Sequence, residues 1–162
     1  MQSKKEIFQH YINENMDQIY RFAFIHTKNK QDAEDIVSES VLRALSAING
    51  LKEVQYMETW FYRIILNTAN SYWKKKNKII LMEEMKEEGV CDSYRNTDLY
   101  DAVMNLEMKY RVIIVLRYFE DRKIEEICEI LHENQNTVKT RLYRAVDKLK
   151  KMLGEESISN GF

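Results

Sequence analysis

A chain of 162 residues with no proline and only four glycines has few means of turning sharply. Sandwiches and hairpin-rich folds need Gly, Pro or Asn turns at short, regular intervals. A Gly-rich phosphate loop is excluded on the same ground. Gly50, Gly89, Gly154 and Gly161 each fall between or after periodic segments. They punctuate helices, and the expected fold class is all-α.

The apolar spacing agrees. Phe8, Ile12, Met16, Ile19 and Ala23 recur at steps of three and four, which predicts one inward stripe. Lys28-Asn29-Lys30 breaks it. A second helix is predicted from about Gln31 to Ile48, with Val37, Val41, Ala44, Leu45 and Ile48 inward. Its first turns carry Asp32, Glu34 and Asp35, favourable beside the positive end of a helix dipole. A third runs from about Glu58 to Lys76, with Phe61, Ile64, Ile65, Thr68, Ala69, Tyr72 and Trp73 on one face.

The periodicity then fades. Residues 79–98 open on Glu83, Glu84, Glu87 and Glu88 and continue into Gly, Asp, Ser and Asn, which reads as a flexible linker with at most a helical turn. A second helical unit begins near Leu99. The dense run Tyr110 to Leu116 reads as a buried helix, because only a helix continues the spacing on both sides. Ile124, Ile127, Cys128 and Leu131 mark a short helix. Val138, Leu142, Ala145, Leu149 and Met152 mark a longer one, with Gly154 as its C-cap. The tail 155–162 reads as frayed. Two units this small are marginal alone, which points to function through partners.

Enzyme chemistry finds little support. His10, His26 and His132 are scattered, and Cys91 and Cys128 have no metal-ligand spacing. No catalytic residue, metal or cofactor is expected, and Cys128 reads as a small buried residue. Nothing approaches the roughly 18 apolar residues of a membrane helix, and no apolar signal core follows the N-terminus. The expectation is a reduced, cytoplasmic protein that does not insert in membranes.

Charge is informative by place rather than total, since 25 basic residues face 26 acidic ones. Tyr72-Trp73-Lys74-Lys75-Lys76-Asn77-Lys78 sets lysines after two aromatics, suited to phosphates and unpaired bases. For this segment alone a solvated helix end is the plainer reading. The segment Lys123 to Lys151 says more. A short helix, a turn His132-Glu133-Asn134-Gln135 and a basic helix carrying Lys139, Arg141, Arg144, Lys148, Lys150 and Lys151 make a helix-turn-helix layout. Asn134 is the expected N-cap. The one-sided charge favours DNA binding over a hairpin with a charged outer face.

These residues resemble a family. Asp32-Ala33-Glu34-Asp35-Ile36-Val37-Ser38-Glu39 with Leu42-Arg43-Ala44 resembles region 2.2 of the extracytoplasmic-function sigma factors. Thr59 to Asn67, Thr-Trp-Phe-Tyr-Arg-Ile-Ile-Leu-Asn, resembles their region 2.3 signature, and the aromatic-lysine segment resembles region 2.4. Lys109 to Asp121 resembles the start of region 4, and Glu125 through Ala145 resembles its helix-turn-helix. The match spans roughly residues 5–153 in the right order. Four departures stand out: Leu106-Glu107 where Leu-Pro is usual, His132 and Asn136 where glycines are usual, and Glu133 where an apolar residue is usual.

The resemblance implies a region 2 domain over 1–78, the linker 79–98, a region 4 domain over 99–154 and the tail. It implies an alternative sigma factor that binds core RNA polymerase at the largest subunit's clamp helices and at the flap. It also implies recognition of promoter −10 and −35 elements and masking by an anti-sigma factor. Asp32, Glu34, Asp35, Glu39 and Arg43 would hold polymerase. Asn49, Gly50, Leu51, Asn67, Tyr72, Trp73, Lys74, Lys75, Lys76 and Lys78 would hold the −10 strand, with the loop Asn49 to Met57 around a flipped base. Asn67 has a plainer alternative, a bond to a neighbouring carbonyl. Gln135, Asn136, Thr137, Lys139, Thr140, Arg141, Tyr143 and Arg144 would read the −35 duplex. A different helix-turn-helix regulator explains only the second half. A non-DNA helical interaction protein, such as an anti-sigma-like adapter, predicts no salt-sensitive DNA binding.

Overall fold

The computed structural model describes residues 1–80 and 98–154, the side chains of residues 77–80 excepted. Most of the expected linker, Cys91, the tail 155–162 and the Lys78 side chain therefore lie outside the described residues. Two compact units result, one holding residues 1–80 and the other 98–154. Every regular element among the described residues is helical.

The first unit packs α1 (Lys4–Thr27), α2 (Lys30–Ala47) and α3 (Met57–Ile80). Ser3 opens α1 with a capping box: its hydroxyl accepts from the Glu6 amide at 3.2 Å, and its own amide donates to Glu6 Oε2 at 3.0 Å. Lys28 ends the helix in the left-handed region, φ 54°, and the Asn29 side chain caps α2 from the next position. Short 3₁₀ turns at Ile48–Gly50 and Val54–Tyr56 join α2 to α3. The core is aromatic. Phe8 meets Phe61 edge-on at 5.1 Å, and Phe22 meets Tyr62 at 4.7 Å. Each such side chain, fully buried, stabilises the fold by roughly 1.5–3 kcal/mol.

Two expectations for this unit need correction. Met16 is 41% exposed, although its spacing placed it inward. Asn15 leaves helical geometry at φ −119°, ψ 18°, and its amide donates to the Tyr11 carbonyl at 2.9 Å. The buried stripe continues at Ile19, two turns after Ile12, so its register is kept and Met16 lies at its exposed edge. The buried face of α2 is set by Ala33, Ile36, Val37, Ser40 and Ala44, while Val41 and Leu45 are only half-buried.

The second unit packs α4 (Asp98–Asn105), α5 (Met108–Ile114), α6 (Ile124–Leu131) and α7 (Gln135–Leu153). Val112 to Leu116 are all buried, as a core helix requires. The helix then widens into a π-turn over Val115–Phe119, where the Glu120 amide donates five residues back to Val115 at 2.8 Å. Glu107 precedes α5 at φ −56°, ψ 148°, within the φ range proline would hold. The turn before α7 is shorter than expected, because Gln135 is already helical. Met152 is 49% exposed, while Leu153, four residues after buried Leu149, is half-buried.

Scarcity of glycine has a visible consequence. Lys28, Asp121 and His132 all adopt positive φ, and His132 sits at φ 58°, ψ 45° where the turn leaves α6. An L-residue there costs roughly 1–2 kcal/mol, partly offset because glycine orders less easily. His132→Gly is therefore expected to raise stability by about 0.5–1 kcal/mol. Urea unfolding checks this, and a lower midpoint for the variant would contradict it.

Candidate nucleic-acid interface

The outer face of α2 is polar and accessible. Glu34 and Asp35 are exposed, and Glu39 and Arg43 are joined by a 2.8 Å ion pair with both side chains about two-fifths exposed. Gln31 donates to Asp35 Oδ1 at 3.2 Å. Leu42, 66% exposed, lies within this stripe. Its signal in the sequence was an apolar residue one position off the inward spacing. Glu39, Arg43 and Asp35 are separated by steps of four, so they share one helix face.

Asp32 does not belong to that face. The residue is 7% exposed. Its Oδ1 accepts from the Tyr72 hydroxyl at 2.5 Å, and its Oδ2 is paired with Lys76 Nζ. Its backbone amide donates to the Asn29 cap at 2.9 Å. Burial pushes the Tyr72 hydroxyl well above its ordinary range, and the Asp32 hydrogen bond and charge push it further. Trp73 Nε1 donates to the His26 carbonyl at 2.8 Å. Thus Asp32 is not placed to meet polymerase, and Tyr72, Trp73 and Lys76 spend their polar groups inside the unit.

What remains on α3 is a narrower strip. Asn67, Asn70, Lys74 and Lys75 are exposed. Asn67, Asn70 and Lys74 stand at i, i+3 and i+7, one face of a helix. The Asn67 amide has no hydrogen-bond partner among the described residues, so the plainer carbonyl bond is not formed. Asn70 was missed, though its spacing from Asn67 and Lys74 carried the signal. In the loop, Asn49 and Gly50 are exposed, and open space surrounds Gly50. Leu51 is a correction: it is 4% exposed and packs into the core, while its carbonyl accepts from Lys4 Nζ. An apolar side chain beside a turn is more stable buried than displayed.

The outer face of α7 is the most complete. Val138, Ala145 and Leu149 are buried, and Leu142 is half-buried. Gln135, Asn136, Lys139, Thr140, Tyr143 and Arg144 are exposed on the other side, Tyr143 at 81%. The Asn134 side chain accepts from the Thr137 amide at 2.8 Å and caps the helix as expected. Asn136 is helical and needs no special backbone. Arg141 is half-buried and reaches Glu133 at 3.2 Å, so the unusual acid in the turn ties it to α7. Arg141 thus serves the turn, although its guanidinium still lines a groove.

That open groove, about 430 Å³, is lined by Lys109, Tyr110, Asn136, Thr137, Thr140, Arg141 and Arg144. Lys109 and Lys148 each lie over the Tyr110 ring, at 5.1 and 5.3 Å. Spacing along the sequence could not show that Lys109 joins this basic edge, because α5 and α7 meet only in the fold. Among the described residues no group of three or more His, Cys, Asp or Glu could hold a metal. Cys128 is half-buried rather than buried, and desolvation, then Glu125, push its thiol up, away from reactivity. No helix among the described residues is long and apolar enough to cross a membrane.

The Sigma-70 region 2 family matches residues 11–79, and the Sigma-70 region 4 family matches residues 97–149. RNA polymerase sigma factor SigV of Bacillus subtilis is 41% identical over 162 residues, covering 98% of both chains. ECF RNA polymerase sigma factor SigW of the same species is 30% identical, covering 85% of this chain and 83% of its own. Among solved structures, the sigma factor RpoE of Bartonella quintana, determined with the anti-sigma factor NepR, aligns at TM-score 0.79 and 20% identity over 90% of this chain and 96% of that one. CnrH, determined with the cytosolic domain of CnrY, aligns at TM-score 0.66 and 18% identity over 90% and 86%. The helical order, the basic α7 face and a full-length relative at 41% identity lead to one conclusion: the chain belongs to the extracytoplasmic-function family of RNA polymerase sigma factors, transcription initiation factors that direct core polymerase to promoters.

Proposed function

We propose the following division of labour. Glu34, Asp35, Glu39, Leu42 and Arg43 on α2 hold the clamp helices of core polymerase. Asn49, Gly50, Asn67, Asn70, Lys74 and Lys75 hold the melted −10 strand. Gln135, Asn136, Thr137, Lys139, Thr140, Tyr143 and Arg144 read the −35 duplex, and Lys109 and Arg141 line its phosphate edge. The division between region 2 and region 4 falls within residues 79–98, as the composition indicates. The protein works in the cytoplasm as a binding subunit without chemistry of its own. An anti-sigma factor covers the α2 and α7 faces, a proposal supported by the related fold of RpoE, solved with the anti-sigma factor NepR.

One observation carries the reading: α7 buries Val138, Ala145 and Leu149 while leaving its amide and cationic side chains exposed on the opposite face of a capped recognition helix. Major-groove readout needs that arrangement. A net charge of −1 gives little general attraction to phosphate. The free protein is therefore expected to bind core polymerase at least about 100-fold more tightly than it binds duplex promoter DNA near physiological salt. Binding titrations against each partner test this. Equal or reversed affinities would contradict it.

A further inference from the structure

We infer that Asp32 is a positioning residue for promoter opening: it anchors the lysine-bearing end of α3 to the first turn of the polymerase-facing helix α2. The inference rests on the proposal that α3 holds the −10 strand.

Among the described side chains of α3, the last buried ones are Thr68 and Ala69. Beyond them Lys74 and Lys75 are exposed, and only Ser71, Tyr72, Trp73 and Lys76 are partly covered among the described side chains. Tyr72 and Lys76 both end on the Asp32 carboxylate, one on each oxygen. Trp73 ends on the His26 carbonyl at the close of α1. The stretch from Tyr72 to Lys76 is thus held by polar tethers, and two of them share one buried carboxylate.

A buried carboxylate needs such partners, and the partners in turn are fixed in direction. With the Tyr72 hydroxyl and Lys76 ammonium directed inward, Asn67, Asn70 and Lys74 face outward together. Asp32 lies one helical turn before Asp35 on the same helix. Polymerase binding by α2 therefore supports the base from which α3 is held, and loss of the tether would loosen DNA contacts without touching polymerase contacts.

The test uses reconstituted holoenzyme and a −10 non-template oligonucleotide. Two quantities are read for each variant: affinity for core polymerase, and affinity of the assembled holoenzyme for the oligonucleotide. Asp32→Ala and the double variant Tyr72→Phe, Lys76→Met should each leave the first within about twofold and lower the second about tenfold. Combining all three changes should add little further loss, because one cluster is removed either way. Asp32→Asn, which keeps the acceptor for Tyr72, should recover part of the loss. Lys74→Ala with Lys75→Ala is the control for the underlying assignment. If this control lowers strand affinity and Asp32→Ala does not, Asp32 is no positioning residue. If the control has no effect, the assignment of α3 to the −10 strand fails and the inference with it. A selective loss of polymerase affinity in Asp32→Ala would also overturn it, since that marks a direct polymerase contact.

Discussion

Replacing both Asp35 and Glu39 by lysine is expected to weaken binding to core polymerase by about 2–4 kcal/mol, roughly 30- to 1000-fold. Both carboxylates stand on the accessible face of α2, and their replacement puts like charge against whatever cations they meet. Folding should survive. The Glu39–Arg43 pair is half in water and contributes only about 0.3–0.5 kcal/mol, and Asp35 makes a single exposed bond to Gln31. The core residues beneath, Ile36, Val37 and Ser40, are untouched. Competition for core polymerase against the unmodified protein measures the loss, and thermal melting monitors the fold. Normal holoenzyme assembly by the double variant would remove α2 from the polymerase interface.

The second large effect concerns −35 reading. Lys139 and Arg144 are exposed beside Asn136, Thr140 and Tyr143 on α7. Lysine and arginine read guanine, and asparagine and glutamine read adenine, at about 1–3 kcal/mol of discrimination for each good pair. Lys139→Ala or Arg144→Ala is therefore expected to lower initiation about 5- to 150-fold and to relax sequence preference at one or two −35 positions. Lys150→Ala lies far along the helix and should shift salt dependence without changing the ranking of promoters. Initiation across a −35 library, with each variant holoenzyme, decides the matter. An unchanged ranking for both Lys139→Ala and Arg144→Ala would make them phosphate contacts or solvated side chains.

Helices and their inward stripes were legible because burial imposes a 3.6-residue period on any amphipathic segment. The recognition helix was legible for the same reason, with Asn134 as a local capping signal that needs no distant partner. What escaped was set by contacts distant in sequence. Asp32 reads as one more acid in an exposed run, but its partners Tyr72 and Lys76 lie 40 and 44 residues away. Lys109 reaches the recognition face only because α5 packs against α7. Met16 lies at the exposed edge of its stripe beside the non-helical Asn15, local detail that periodicity averages over. Leu51 was assigned to a DNA pocket by its place in the family pattern, and burial of its side chain decided otherwise. His132 followed from neither source fully: the family pattern marked the position for glycine, and the structure puts the histidine itself in the left-handed conformation.

Transcription from a promoter library randomised at the −10 and −35 elements, using purified bacterial core polymerase with and without this protein, tests the central claim most directly. Protein-dependent transcripts should come from templates sharing one −10 sequence and one −35 sequence at a fixed spacing. Transcripts that neither depend on the protein nor converge on such a pair, despite its co-elution with core polymerase, would contradict promoter reading through α3 and α7.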